Sequence, residues 1–434
     1  MKEGGVTMDS RGCDLTGAWT VSVSIPSPDG GRIVASVDVP RPEVVTVHHE
    51  PYERLPLFNL SAWAGWQKGR PLAGLKAQEC TACFALHPDS VVVAAGSADD
   101  ATRYERGLDW EADLAWGSVG RMPGGRIGPE QPVFISYAYT PARLDSIVQD
   151  ATGAIALRRG EPHIATPHPP TLSEGETRLV NVFLERHADA LAADCLYPIL
   201  ESGFPEPIQS GTSVAERLLP RTLARLVNGE PLKVLAWGDS VTDGGFLDDP
   251  ARERWQCQFV ERLRKHYPKS PIDLVTEAWG GRNTSLYLAE PPGSIHNYQE
   301  KILEAKPDLI VMEFVNDAGL PADIYEERHR KLLEDFRRIG AEWIILTPHY
   351  IRPDWMGLTR QREIDEDPRP YVAFLRKFAA QNHIALADAS LRYGRLWRQG
   401  IPYNTMMNNN INHPDARGMR IFADSLIALF PGAE

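Results

Sequence analysis

The chain has 434 residues, 43% of them hydrophobic and 24% charged, with a formal net charge of −12. That size predicts two domains, or one large domain with an appendage, and a sizeable buried core. The acidic balance speaks against a nucleic-acid partner, which is held mainly through Lys and Arg on its phosphates. No stretch approaches the roughly 20 apolar residues that span a bilayer, so a membrane is not expected either.

The first seventeen residues, MKEGGVTMDSRGCDLTG, contain no apolar run. This predicts neither a leader nor an anchor, and a cytoplasmic location is the expectation; a chain trimmed after a leader would read the same way. Up to about residue 205, short β-rich runs alternate with Gly, Pro, Asp and Ser: 18–25, 32–39, 91–95, 133–139, 155–158 and 177–183. Strands punctuated in this way predict an N-terminal β-sandwich or jelly-roll domain over 1–205. Cys80 and Cys83 with His87 have a spacing that suggests zinc, but structural zinc takes four ligands and no second pair of suitable spacing follows, so no metal is expected. The other cysteines, Cys13, Cys195 and Cys257, leave an odd and sparse set, unlike a disulfide framework. Gly124-Gly125-Arg126-Ile127-Gly128 lacks the helix and the Lys-Ser/Thr of a phosphate loop. Trp63, Trp66, Trp110 and Trp116 suit stacking on sugar rings or, more simply, packing.

Ser213-Val214-Ala215-Glu216 has the spacing of a capping box and opens a helix, with Pro220 predicting a kink or split and Gly229 a stop. The period then alternates. Runs at 234–237, 272–278, 308–315, 343–347 and 385–388 read as buried strands, and 252–266, 297–305, 322–338 and 369–381 as the helices between them. Strand–helix alternation predicts parallel βαβ units and a three-layer α/β domain over 206–434. In such sheets a site lies outside the carboxyl ends of the strands.

Four groups of polar residues stand at those ends or just beyond. The first strand runs into Gly238-Asp239-Ser240-Val241-Thr242, where a serine before a helix suits a nucleophile or, alternatively, a plain helix cap. The second ends in Gly280-Gly281-Arg282-Asn283, a turn whose Gly281 N–H can approach a substrate oxygen. The third ends in Phe314-Val315-Asn316-Asp317, an amide that can donate to an oxyanion or cap a helix. Near the C-terminus comes Asn410-Ile411-Asn412-His413-Pro414, followed by a helix.

Together the four blocks resemble the SGNH hydrolases, also called the GDSL esterase/lipase family, over about residues 213–432. The resemblance implies a flavodoxin-like sheet and ester hydrolysis with neither metal nor cofactor. It assigns Ser240 as nucleophile, His413 as its base, and Ser240 N–H, Gly281 N–H and the Asn316 amide as the oxyanion hole. Two positions depart from the family pattern. Phe314 stands where the third block has Gly, and Asn410 stands where the last block has the Asp that orients the histidine, which leaves Asn410 as candidate third member of the triad. A β-sandwich ahead of such a domain resembles two-domain carbohydrate esterases. The expected partner is therefore a small-molecule or carbohydrate ester, with acetyl as the acyl group. The alternatives are a lipid or small-ester esterase, and a non-catalytic carbohydrate-binding or scaffold protein.

Overall fold

A computed structural model describes residues 12–27, 29–206 and 211–432. They divide into two units: Met1–Ser202 with Trp397–Asn412, and Gly203–Leu396 with His413–Glu434.

In the first unit, period-two alternation builds antiparallel sheets. Thr20–Pro26 turns Val21, Val23 and Ile25 to one buried face and pairs with Gly12–Gly17 on one side and Arg32–Asp38 on the other. A four-stranded sheet runs Ile155–Arg158, Arg143–Gln149, Thr177–Leu184, Leu196–Pro198 in spatial order. Val21, Val23, Ile25 and Val37 share one core with Ile147, Val180, Val182 and Leu184 of that sheet. This is the sandwich arrangement of two inner faces. A second core gathers Trp110, Val119, Val133 and Ile135 from smaller sheets, one of which pairs Val45–Tyr52 with Val133–Tyr139, together with Leu55 and Leu75 from the segments between strands. The β-rich expectation holds, but Arg143–Gln149 was not foreseen. It is buried on both faces and carries Arg143 and Asp145 as an internal ion pair at 2.8 Å, so it shows neither alternation nor an apolar run. The segment Trp397–Asn412 belongs to this unit. Trp397 packs with Leu144 and Phe183, Ile411 packs with Trp66 and Cys80, and Asn181 Nδ2 donates to Gly400 O at 2.8 Å.

The second unit is a flavodoxin-like three-layer domain. Its five parallel strands lie in the order Ile272–Ala278, Leu232–Gly238, Leu309–Glu313, Glu342–Leu346, Ala385–Ala387. Leu235, Trp237, Ile310, Met312, Trp343 and Ile345 point to one face. There they meet Tyr298, Tyr325, Phe336, Tyr371 and Phe378 from the helical layer that includes Ala322–Ile339 and Pro370–Asn382. Helices Trp255–His266 and Ala416–Ile427 pack on each other, with Phe259 and Phe430 rings 5.9 Å apart. The capping box at Ser213 and Glu216 is present, the helix splits at Leu219 before Pro220, and Gly229 ends it at φ 72°. Among the described residues no helix is long and apolar enough to cross a membrane.

Candidate active site

The first strand ends where the sheet has its switch in strand order, between neighbours Ile272–Ala278 and Leu309–Glu313. Gly238 is required there: a Cβ would run into Thr242 Oγ1 and the Glu313 carbonyl oxygen. That close approach lets the chain turn at once into the short helix Ser240–Asp243, capped by Asp239 Oδ1 on Val241 N–H at 3.1 Å. Ser240 occupies the first helical position, where the backbone N–H has no helical acceptor and the dipole favours negative charge.

His413 Nε2 lies 3.1 Å from Ser240 Oγ. Its ring is stacked on Phe246, with centroids 4.2 Å apart and planes within 4°. Phe246 thus fixes the plane of the imidazole. It comes from the loop after helix Ser240–Asp243, and nothing in the sequence marks it. The nucleophile and base picked out in the sequence are therefore in hydrogen-bonding reach of one another.

Asp239 is wholly buried and does more than cap. Its Oδ2 accepts both the backbone N–H and the side-chain Nδ2–H of Asn316, at 3.1 and 2.9 Å. The second Asn316 amide hydrogen goes to Arg282 O at 3.2 Å. These bonds tie together the loops after the first, second and third strands. Burial pushes the Asp239 carboxyl up to about 6, against the pull of the Val241 and Asn316 N–H groups and the nearby His413. Gly281, at φ 72°, needs the left-handed conformation that glycine adopts without strain, and the space around it is open. A side chain on Gly280 would begin 3.8 Å from Ser240 Cβ, so this turn lines Ser240.

Two further acids lie behind the site. Asp317 accepts from Thr284 N–H and Oγ1–H at 2.8 and 2.9 Å, pinning the start of helix Thr284–Ala289; burial raises its carboxyl to about 7. Glu313, the last residue of the third strand, is wholly buried, and neither of its carboxyl oxygens has a hydrogen bond of ordinary geometry. Burial and the charge of Asp239 raise it well above 4.5. The strand expected over 308–315 ends at Glu313, whose burial only the structure shows. Phe314, in place of the family's Gly, is buried against Trp237 with ring centroids 5.0 Å apart, so it fills core. Asn410 lies in the first unit, mostly buried, at φ 59°, with its N–H on Met407 O at 2.8 Å.

Cys80 and Cys83 are buried. Cys80 Sγ–H donates to Asn409 O at 2.9 Å, while His87 Nε2 meets Thr140 Oγ1 at 2.8 Å. Among the described residues no group of three or more His, Cys, Asp or Glu is arranged to hold a metal ion.

Residues 236–421 match the GDSL-like Lipase/Acylhydrolase family. Similar solved structures include a two-domain esterase active on acetylated mannans. It is 16% identical, with a TM-score of 0.39, and the likeness covers 50% of this chain and 53% of that one. They also include a catalytic mutant of Axe2, an acetylxylan esterase from Geobacillus stearothermophilus. That structure is 18% identical over 45% of this chain and 92% of that one, with a TM-score of 0.36. TesA is 19% identical over 46% and 99%, with a TM-score of 0.34. No curated protein matches the chain.

Proposed function

We propose that this chain, whose residues 236–421 form a GDSL-like lipase/acylhydrolase domain, is a serine carboxylic-ester hydrolase that removes acetyl groups from a carbohydrate. The observation that carries the chemistry is the 3.1 Å approach of His413 Nε2 to Ser240 Oγ at the mouth of the parallel sheet. Ser240 Oγ attacks the ester carbonyl as its proton passes to His413 Nε2, forming the tetrahedral intermediate. The oxyanion takes the N–H groups of Ser240 and Gly281, and the Asn316 amide hydrogen that otherwise rests on Arg282 O; that 3.2 Å bond is long enough to be exchanged. The C–O bond breaks, the alcohol leaves with the proton from His413, and water attacks the acyl-Ser240 by the same route in reverse roles.

The acetyl and carbohydrate assignments rest on the β-rich unit that accompanies the domain, and on the loop after the nucleophile. Residues 244–254 carry Asp248, Asp249, Arg252, Glu253 and Arg254 and supply no apolar lid. The test is Ser240→Ala on nitrophenyl acetate and an acetylated sugar. Losses of several orders of magnitude in kcat are expected, with about 10⁶ the precedent for such nucleophiles. A folded variant with near-normal turnover would overturn the assignment.

A further inference from the structure

The turn after the second strand carries a cation that the mechanism does not use. Trp279 N–H donates to Gly238 O at 3.2 Å, which locks this turn to the end of the nucleophile strand. The Trp279 indole stacks on the His296 ring, with centroids 4.6 Å apart and planes 15° apart, and meets Tyr287 edge-on at 5.6 Å. His296 is itself held, Nδ1 lying 2.7 Å from Glu277 Oε1, and the Tyr287 hydroxyl donates to the same oxygen at 3.3 Å. Trp279 is therefore a supported plate. Over it lies the Arg282 guanidinium, 4.8 Å from the ring centroid.

Arg282 is exposed, and among the described residues the contact of its guanidinium is the Trp279 ring. Other arginines of the unit are paired with carboxylates or hold backbone carbonyls, the latter at Arg254, Arg264 and Arg337. Arg262 pairs with Asp424, Arg376 with Asp388 and Arg417 with Asp415, and the chain as a whole is acidic. The position is also particular. The Arg282 carbonyl oxygen holds the Asn316 amide, and Gly280, two residues earlier, lines Ser240. An unattached arginine would lose side-chain freedom on binding a ligand. One held over an indole has already lost part of it, while the residue stays exposed. A guanidinium fork matches a carboxylate.

We propose that Arg282, held on Trp279, is a subsite for a carboxylate on the non-reacting part of the ester, so that the preferred substrate is an acetylated acidic sugar of the uronate class. This rests on the esterase reading above for its substrate, but not for its binding.

The test has two arms, both on the full chain. In the first, kcat/KM is measured for an acetylated methyl glucuronoside and the matching methyl glucoside. Charge-assisted hydrogen bonds of this kind support a preference of about 10- to 100-fold for the glucuronoside. Arg282→Gln should collapse the ratio towards one, mostly through KM, Arg282→Lys should restore part of it, and added salt should shrink it in the wild type. In the second arm, glucuronate and glucose are titrated into Ser240→Ala with and without Arg282→Gln. Glucuronate should bind more tightly, and only while Arg282 is present. If neither ester is cleaved yet glucuronate binding depends on Arg282, the subsite stands and the esterase reading falls. Equal binding of the two sugars, no binding of either, or a glucuronoside preference that survives Arg282→Gln would overturn the proposal.

Discussion

Replacing Asp239 by Asn should separate stability from activity. Asp239 Oδ1 accepts the Val241 N–H, and Oδ2 accepts two hydrogens from Asn316. An asparagine has one acceptor oxygen, so either the helix cap or the Asn316 pair loses its partner, and the new NH₂ is turned against an N–H. Each buried donor left unmatched costs about 1–3 kcal/mol. In the other direction, burial has moved the Asp239 carboxyl from 3.8 to about 6. At about 1.4 kcal/mol per unit, that is a cost on the order of 3 kcal/mol at neutral pH, which a neutral amide does not bear. The two effects nearly offset, and unfolding free energy should stay within about 2 kcal/mol of the wild type. Turnover has no such compensation. With the Asn316 amide unanchored, the loss should be that of an oxyanion donor, about 10²–10³ in kcat. The assay is kcat and KM on nitrophenyl acetate beside denaturant unfolding, both at pH 7. A folded variant with kcat within about threefold of the wild type would refute the anchoring role.

Two further outcomes are expected. Acetyl esters should be cleaved faster than octanoyl esters, because the loop after Ser240 offers no apolar cover; rates that climb with acyl length, by up to about 0.8 kcal/mol per buried methylene, would move the chain to the lipid side. Asn410 sits at φ 59°, so Asn410→Ala, which keeps the Cβ but loses the amide that favours this region, should be less stable than Asn410→Gly by up to about 1–2 kcal/mol. Equal denaturation midpoints for the two variants would show that the turn is not strained by a Cβ.

The central strands of the parallel sheet were legible because strands buried on both faces are continuous apolar runs, and Leu309–Met312 is the plainest of them. Ile272–Ala278, read as buried, is instead an edge strand that is largely not buried and carries Asp273, Thr276 and Glu277. Ser240, Gly281 and Asn316 were legible for a related reason: parallel strands all deliver their carboxyl ends to one edge, so polar residues just past each run must meet there. Partners that depend on side-chain direction were not legible. Phe246 stacks on His413 from a loop whose length alone decides where it lands. Trp279 reads as one more aromatic beside a glycine pair, and only the His296 and Arg282 contacts set it apart. Trp397–Asn412 joins the first unit through scattered contacts of Trp397, Gly400 and Ile411, with no period to announce them.

The row of buried acids behind Ser240 has a consequence for stability that a single substitution can expose. Asp239 and Asp317 are raised to about 6 and about 7, and Glu313 well above its ordinary 4.5. A carboxyl raised on folding keeps its proton in the native chain after the unfolded chain has released it. Its contribution is complete below the unfolded value, near pH 4, and is lost as pH rises through the folded value. Over the window from about pH 4 to 7, each such group lowers stability by at most about 1.4 kcal/mol per pH unit. Glu313 is the one of the three that can be changed without removing a hydrogen bond, because its oxygens make none of ordinary geometry. Glu313→Gln should therefore flatten the fall, with little change near pH 4 and a gain over the wild type that widens as pH increases. Urea unfolding of both proteins at pH 4.5, 6 and 8 measures this directly. Parallel curves would mean that Glu313 ionises in the folded chain as it does in the unfolded one, and that burial beside Asp239 does not hold its proton.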